Sequence, residues 1–306
     1  MAVSVPNLLV ILGATASGKS DLALELAARA GGELLSVDSM QVYRHMDIGT
    51  AKPSPAEQAR VRHHLIDIVE PSDEFTVARF TEMADATIAD AAARNVPLVA
   101  TGGTPLYYKA LFEGMFDGPA GSEEIRDRLR ALPNDELHRR LAQVDPAASA
   151  RLHRNDTKRL IRALEVYELT GQPISSLQRE WATPQQRHPA VWVGLDWDRE
   201  FLNRRINARV KAMMDAGWLD ETRRLLDRYG ALSKTAGEAT GYHELIDHLR
   251  GRTSLDHAVE QIKIATRQLA RQQMKWLRRF PNVTWIPGDL PLGEKVEQVT
   301  RLWRGG

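Results

Sequence analysis

Apolar residues fall along this chain in short continuous runs alternating with stretches of helical spacing. Val5–Leu12 is an apolar run interrupted only by Asn7 and ended by Gly13, the pattern of a strand covered on both faces. Ser20–Arg29 places Leu22, Leu24, Leu26 and Ala27 at helical spacing before Gly31 and Gly32 stop it. Glu33–Val37 predicts a second short strand ending at Asp38, and His64–Val69 is a third apolar run bounded by Pro71. Phe75–Arg94 is helical in pattern, and Val96–Ala100 predicts a buried strand that runs into Thr101-Gly102-Gly103-Thr104. This alternation predicts βαβ units and a parallel sheet.

The pattern changes near Gly114. Asp117–Gly121 has linker composition, and Ser122–Glu180 is helical throughout and dense in Arg, His and Lys. After a second loop at Pro184–Pro189, strand character returns at Val191–Leu195. Phe201–Arg279 is mostly helical, Val283–Ile286 predicts a last strand, and a short helix closes the chain. The expected fold is α/β: a P-loop NTPase-like parallel-sheet core, residues 1–116 and 188–306, with an all-helical domain inserted at 117–187.

Composition adds mainly exclusions. The 306 residues are 43% hydrophobic and 26% charged, which suits a soluble globular chain able to bury a core. The net charge of +1 makes no case for nucleic acid, so the distribution of charge has to decide. With no cysteine, disulfides, thiolate zinc sites and a cysteine nucleophile are excluded. Leu8–Leu12 is too short for a signal segment or membrane span, and the expectation is a cytoplasmic protein.

Gly13-Ala14-Thr15-Ala16-Ser17-Gly18-Lys19-Ser20 fits the P-loop pattern at the position its mechanism needs, between a strand and a helix. Glycines let backbone N–H groups converge on phosphate oxygens, the helix N-terminus adds positive potential, and Lys19 supplies a full charge. Ser20 is the candidate Mg²⁺ ligand. NTPases usually carry an acidic Mg²⁺ ligand after another apolar strand. Val96–Ala100 ends in Thr101 instead, whereas Glu33–Val37 ends in Asp38, a candidate ligand or base. The motif therefore implies a polyphosphate without naming ATP.

Other segments carry a fuller pattern. Asp38-Ser39-Met40-Gln41-Val42-Tyr43-Arg44, Met46–Pro53, Gly102-Gly103-Thr104 with Leu106-Tyr107, and Asn155-Asp156 with Arg159 and Arg162–Val166 follow the P-loop in order. Gly241-Tyr242, Thr266-Arg267-Gln268 and Trp276 complete the set. Together they closely resemble the bacterial tRNA dimethylallyltransferases, across nearly the whole chain. The resemblance implies transfer of a dimethylallyl group from its diphosphate to N6 of the adenosine 3′ of the anticodon, with the P-loop holding the donor's diphosphate. The implied partners are the tRNA anticodon stem-loop and dimethylallyl diphosphate, with Mg²⁺ as cofactor, no membrane, and a monomeric chain.

An adenine amine is a poor nucleophile and needs an acceptor for its proton, and Asp38 is the choice. Lys19 and Mg²⁺ would stabilise the leaving diphosphate. Thr104 resembles the family's threonine near the reacting centre, a role favoured over simply capping the helix opening at Pro105. Arg205 and Arg209, four apart on a predicted helix, suit a diphosphate clamp or surface ion pairs with Asp198, Glu200 or Asp215.

For tRNA, Lys263, Arg267, Arg271, Lys275 and Arg279 recur every four residues with Arg278 beside them, a stripe suited to phosphates or simply a solvated face. Lys158, Arg159 and Arg162, on a helix whose apolar face includes Leu160 and Ile161, form a second candidate surface. Arg126 matches an arginine that the family directs towards tRNA. Asp38 to Gln41 would read the flipped base, and Gly241, Tyr242 and Trp276 join the tRNA-facing set. The sequence departs from the family at Lys158, Gln272, Lys275, Thr240, His243 and Pro105, which touches individual tRNA contacts rather than the reaction. The competing readings are a small-molecule P-loop kinase, a prenyltransferase acting on free AMP or ADP, and a non-enzymatic RNA-binding module.

Overall fold

A computed structural model describes residues 7–114, 118–119, 121–179 and 187–305. Within the chain, two compact units separate: residues 7–111 with 188–305, and 112–187. Val5, Asp117, Ala120 and residues 184–186, which the sequence assigns to a strand and to two loops, lie outside the described residues.

The first unit is built on strands β1 (Leu8–Leu12), β2 (Glu33–Ser36), β3 (His63–His64), β4 (Leu98–Thr101), β5 (Val191–Asp196) and β6 (Thr284–Pro287). All pair in parallel, in the order β3-β2-β4-β1-β5-β6. β1 is central, with Leu9 opposite Val99 on one side and Val191 on the other. Every residue of β1 is buried, as expected for a strand with helices on both faces. Its core joins Leu9, Ile11 and Val193 to Leu22 and Leu26 of α1 (Lys19–Ala30) and to Val299 of α15 (Leu292–Arg304).

Between these strands lie α2 (Pro55–Arg60), α3 (Val77–Ala93) and α4 (Pro105–Glu113). After β5 come α10 (Arg199–Asp215), α11 (Trp218–Tyr229), α12 (Lys234–Gly237), α13 (Tyr242–Leu249) and α14 (Leu255–Leu277). The apolar run His64–Val69 is largely not a strand. Only His63 and His64 pair with β2, because Leu65 and Asp67 take left-handed backbone (φ 60° and 55°) that ends the ladder. Leu65, Ile66 and Val69 are buried all the same.

The second unit contains α5 (Glu123–Arg130), α6 (Asn134–Val144), α7 (Pro146–Arg151), α8 (Thr157–Thr170) and α9 (Ile174–Arg179). Leu129, Leu137, Leu141, Leu160, Ile161 and Leu164 form its own core. Inside it, the fully buried Glu165 carboxylate accepts from Ser122 N (2.7 Å), Arg162 Nη1 (2.6 Å) and Arg126 Nε (2.9 Å). Burial alone would raise the Glu165 carboxyl; these donors outweigh it and hold the group below its ordinary value.

Candidate functional site

The loop between β1 and α1 holds the phosphate motif in the shape its residues require. Ala16 and Gly18 have left-handed backbone (φ 62° and 83°), and Gly18 leads into α1 with no side-chain cap on the first N–H groups. Those donors are left for an anion. Lys19 is buried, with Nζ 3.2 Å from Ala14 O. Burial, reinforced by Arg209 and opposed by Asp38, lowers its ammonium to about 8.

Two side chains brace the loop from outside. Trp197 Nε1 donates to Ser17 O (3.0 Å), and Arg205 Nε donates to Ala16 O (2.8 Å) while its guanidinium stacks 4.6 Å from the Trp197 ring centroid. Asp198 caps α10 through Glu200 N and Phe201 N. Neither Arg205 nor Arg209 forms an ion pair with an acidic side chain among the described residues.

Asp38 follows β2, half-buried, with its carboxylate held by backbone. Oδ1 accepts from Met40 N (2.9 Å) and Oδ2 from Gly103 N (3.2 Å). Thr104 Oγ1 accepts from Ser39 N (2.9 Å) and donates to Ser39 Oγ (3.1 Å), so its hydroxyl ties the β4 loop to the β2 loop. Gln41 uses both ends of its amide: Oε1 accepts from Ser36 Oγ, and Nε2 donates to Thr50 O and Ala51 O.

Two cavities meet here. A larger one of about 880 Å³ is lined by Asp47, Lys52, Arg205 and Met213 among others, and a smaller one of about 420 Å³ by Asp38, Ser39, Gln41, Thr104 and Gln273. Lys19, Ser20, Pro53, His63 and Arg209 line both. The phosphate loop, the carboxylate and Arg209 thus converge on one place.

Two of these residues escape the sequence reading. Gln273 is buried on α14; its Oε1 accepts from Thr15 N (2.8 Å) and its Nε2 donates to Gly103 O (2.6 Å), a cross-tie from the phosphate loop to the loop holding Asp38. The available signal is a glutamine at apolar-face spacing between Ala270 and Leu277. His63 donates from Nδ1 to Val61 O (2.7 Å), which leaves Nε2 as the acceptor in the neutral ring, and burial lowers its pKa. Its pattern in sequence, a histidine ahead of an apolar run, carries no such message.

Of the residues expected to face tRNA, some are buried and others are engaged in ion pairs. Leu160 and Ile161 lie in the core of the helical unit, so their side chains are not surface contacts. Tyr242 is likewise buried, its hydroxyl donating to Glu221 Oε1 (2.6 Å). Arg126 and Arg162 engage Glu165, and Arg159 pairs with Asp156 (2.9 Å). The stripe on α14 is not of one sign: Lys263 and Arg267 both reach Glu260, and Arg267 also donates to Asn207 Oδ1 (2.7 Å). Arg278 pairs with Asp196 (2.7 Å). Arg271 and Lys275 are exposed and have no ion pair among the described residues, while Lys158 is exposed and Trp276 half-buried beneath Arg279.

Comparison with known proteins places the chain in a family. A family model described as IPP transferase matches residues 41–280, and one described as isopentenyl transferase matches residues 6–72. The tRNA dimethylallyltransferase of Geobacter metallireducens is 48% identical over 285 residues, covering 92% of each chain. That of Symbiobacterium thermophilum is 45% identical over 304 residues, covering 97% of this chain and 95% of its own. The chain belongs to the tRNA dimethylallyltransferase family.

Solved structures agree. The tRNA isopentenylpyrophosphate transferase of Bacillus halodurans superposes with a TM-score of 0.73 at 37% identity, covering 97% of this chain and 95% of its own. A eukaryotic dimethylallyltransferase described as acting on tRNA superposes with a TM-score of 0.82 at 27% identity, covering 96% of this chain and 77% of that one. Membership of the tRNA dimethylallyltransferases does not favour the kinase and free-nucleotide readings. Among the described residues, no helix is long and apolar enough to cross a membrane, and no group of three or more His, Cys, Asp or Glu residues is placed to hold a metal.

Proposed function

We propose that this chain transfers the dimethylallyl group of dimethylallyl diphosphate to N6 of the adenosine 3′ of a tRNA anticodon, releasing diphosphate. The observation carrying this reading is that Lys19 and Arg209 line both cavities, while Asp38 and Thr104 line only the smaller. A diphosphate held by Lys19, Arg209 and the N-terminus of α1 then lies at the junction, with an acceptor base entering the smaller cavity. As the bond from N6 to the allylic carbon forms, the bond from that carbon to the diphosphate oxygen breaks, and the amine proton passes to Asp38. Backbone donors on both carboxylate oxygens keep Asp38 oriented as an acceptor. Gln273 keeps Asp38's loop in register with the phosphate loop.

The oxygen donors suit Mg²⁺, a hard cation that binds through one or two protein oxygens together with substrate phosphates. Ser20, exposed and lining both cavities, would hold it. When bound, the ion would neutralise charge on the departing diphosphate.

Arg205 serves this reading as a brace for the phosphate loop as well as a charge beside it. The tRNA would meet exposed basic residues of both units: Lys158 and Arg159 of the helical unit, and Arg271, Lys275 and Arg278 near the end of α14. Arg126 and Arg162 would exchange contacts with Glu165 for phosphate contacts. Arg199, Arg267, Arg271 and Arg278 line a cleft of about 210 Å³, a concentration of guanidinium groups that suits backbone phosphates. Ser39, Met40 and the backbone around Gln41 would receive the extruded base, with Gly241 and Tyr242 supporting from beneath. On this reading the enzyme works as a monomer in the cytoplasm.

The direct test incubates the protein and Mg²⁺ with radiolabelled dimethylallyl diphosphate and unmodified tRNA, AMP or no acceptor. Label is expected in tRNA alone; label in AMP alone, or none in tRNA, overturns the reading. Replacing Arg271 and Lys275 together by alanine is expected to lower the salt slope of tRNA binding by about 1 per residue. An unchanged slope assigns both side chains to solvent.

A further inference from the structure

The segment from Met46 to Pro53 separates the two cavities. Asp47, Ile48, Ala51 and Lys52 line the larger, Gly49 and Thr50 line the smaller, and Pro53 lines both. Its folding is tight. Thr50 Oγ1 donates to Met46 O (2.6 Å), Lys52 N to Asp47 O (2.9 Å), and Ala51 has left-handed backbone (φ 48°). The buried Lys52 Nζ reaches Tyr43 O (2.7 Å), Asp47 Oδ1 (2.6 Å) and Asp67 Oδ1 (2.5 Å).

What this partition stands on is unusual. Glu221 of α11 is buried and has no cationic partner among the described residues. Its Oε2 accepts from Asp47 N (3.0 Å) and Ile48 N (2.8 Å), and its Oε1 from Gly49 N (3.3 Å) and Tyr242 Oη (2.6 Å). Three consecutive backbone N–H groups thus converge on one carboxylate. Taking an unpaired carboxylate out of water is costly, and such complete hydrogen bonding offsets that cost.

The indole of Trp218 seals the arrangement. A Cβ at Gly49 would stand 2.2 Å from Trp218 Nε1, and one at Gly241 2.0 Å from Trp218 Cη2, so both positions admit only glycine. Tyr242 meets the same indole edge-on at 5.6 Å. Gly241 and Tyr242, conspicuous in the sequence, therefore belong to the base of the partition.

The partition also reaches the acceptor side. Its Thr50 and Ala51 carbonyls receive Gln41 Nε2 (3.3 and 3.2 Å), and Ser36 holds the other end of that amide. Gln41 lies three residues beyond Asp38. A shift of Asp47–Gly49 would thus pass through Thr50 and Ala51 to Gln41 while also reshaping the wall of the larger cavity.

We propose that Glu221, held by the Tyr242 hydroxyl, is a positioning residue for the transfer reaction. It fixes the Asp47–Pro53 partition, and hence the alignment of the allylic carbon in one cavity with the acceptor amine in the other. This inference rests on the transfer reading above. Misplacing reacting groups by about 1 Å can cost about 100-fold in rate without touching the chemistry.

Two substitutions grade the effect. Glu221→Gln replaces one accepting oxygen by an amide NH2 that donates, setting donor against donor, and Tyr242→Phe removes one donor while keeping the ring on Trp218. Each is measured for thermal midpoint, dissociation constant of inorganic diphosphate, and kcat for tRNA labelling per folded molecule. Expected are a kcat loss of about 10-fold for Tyr242→Phe and about 100-fold for Glu221→Gln, with diphosphate affinity within threefold of the parent. A lowered midpoint with unchanged kcat per folded molecule overturns the proposal, because the residues would then serve stability alone. So does a loss of diphosphate affinity equal to the loss in kcat. If Glu221→Gln does not fold, Tyr242→Phe decides. Failure of the unmodified protein to label tRNA overturns the transfer reading, and is distinguishable because it precedes any comparison of variants.

Discussion

Replacing Asp38 by alanine is expected to lower kcat for tRNA prenylation by about 100- to 10,000-fold, the range associated with a positioned general base. The side chain sits where its removal deletes a proton acceptor and two loop tethers, at Met40 N and Gly103 N. Asp38→Asn separates the two roles, since the amide oxygen can keep one tether but cannot take the proton. Both variants are expected to bind tRNA within severalfold of the parent, because affinity comes mainly from phosphate contacts elsewhere. Single-turnover labelling at saturating substrates, beside a direct tRNA binding isotherm, checks this. A large affinity loss with kcat preserved would make Asp38 a binding residue.

Lys19→Ala is expected to cost about 100- to 1,000-fold in kcat, the scale for removing one preorganised stabiliser of developing negative charge. Lys19 also implies a pH dependence. Its ammonium is lowered to about 8 in the free chain, chiefly by burial, so the side chain loses its charge as pH rises through that value. Bound diphosphate favours the charged form. Affinity for inorganic diphosphate should therefore be full below about pH 8 and weaken above it, and Lys19→Ala should flatten that dependence. Titration calorimetry at pH 7 and pH 9.5 reads both effects, and an equal pH response in the two proteins would remove Lys19 from the site.

The sheet and the phosphate loop are legible because each leaves a local signature. Continuous apolar runs mark strands buried on both faces, and Gly13 to Ser20 must be written in nearly those residues to bring N–H groups to an anion. The resemblance carries Asp38 and Thr104, whose positions after β2 and β4 put them beside each other only once the sheet is parallel. His64–Val69 misleads because apolarity reports burial rather than extension. Asp67 instead turns left-handed and bonds Lys52 and Arg44. Gln273 and Glu221 stay hidden for a related reason. Each is a polar residue on an amphipathic helix, and its backbone partners lie far away in the chain, at Thr15 and Gly103 for Gln273 and at Asp47 to Gly49 for Glu221, which no local pattern connects. The basic stripe on α14 shows the converse, a clear local pattern whose members divide between folding contacts and solvent once α10 and Glu260 are in place.

The central position of β1 has a consequence for how the protein is made. One edge of β1 is closed by β4, but the other waits for β5, which lies beyond the helical unit in the chain. At roughly 5–20 residues per second of synthesis, the interval from Thr101 to Val191 lasts about 5–20 seconds. During that time the ribosome carries a half-sheet with its most apolar strand unpaired along one edge, a template for wrong pairing. The helical unit, with a core of its own, can fold within the interval. Nascent chains halted before residue 191 are expected to leave that edge of β1 open, the stage at which mispairing has most opportunity.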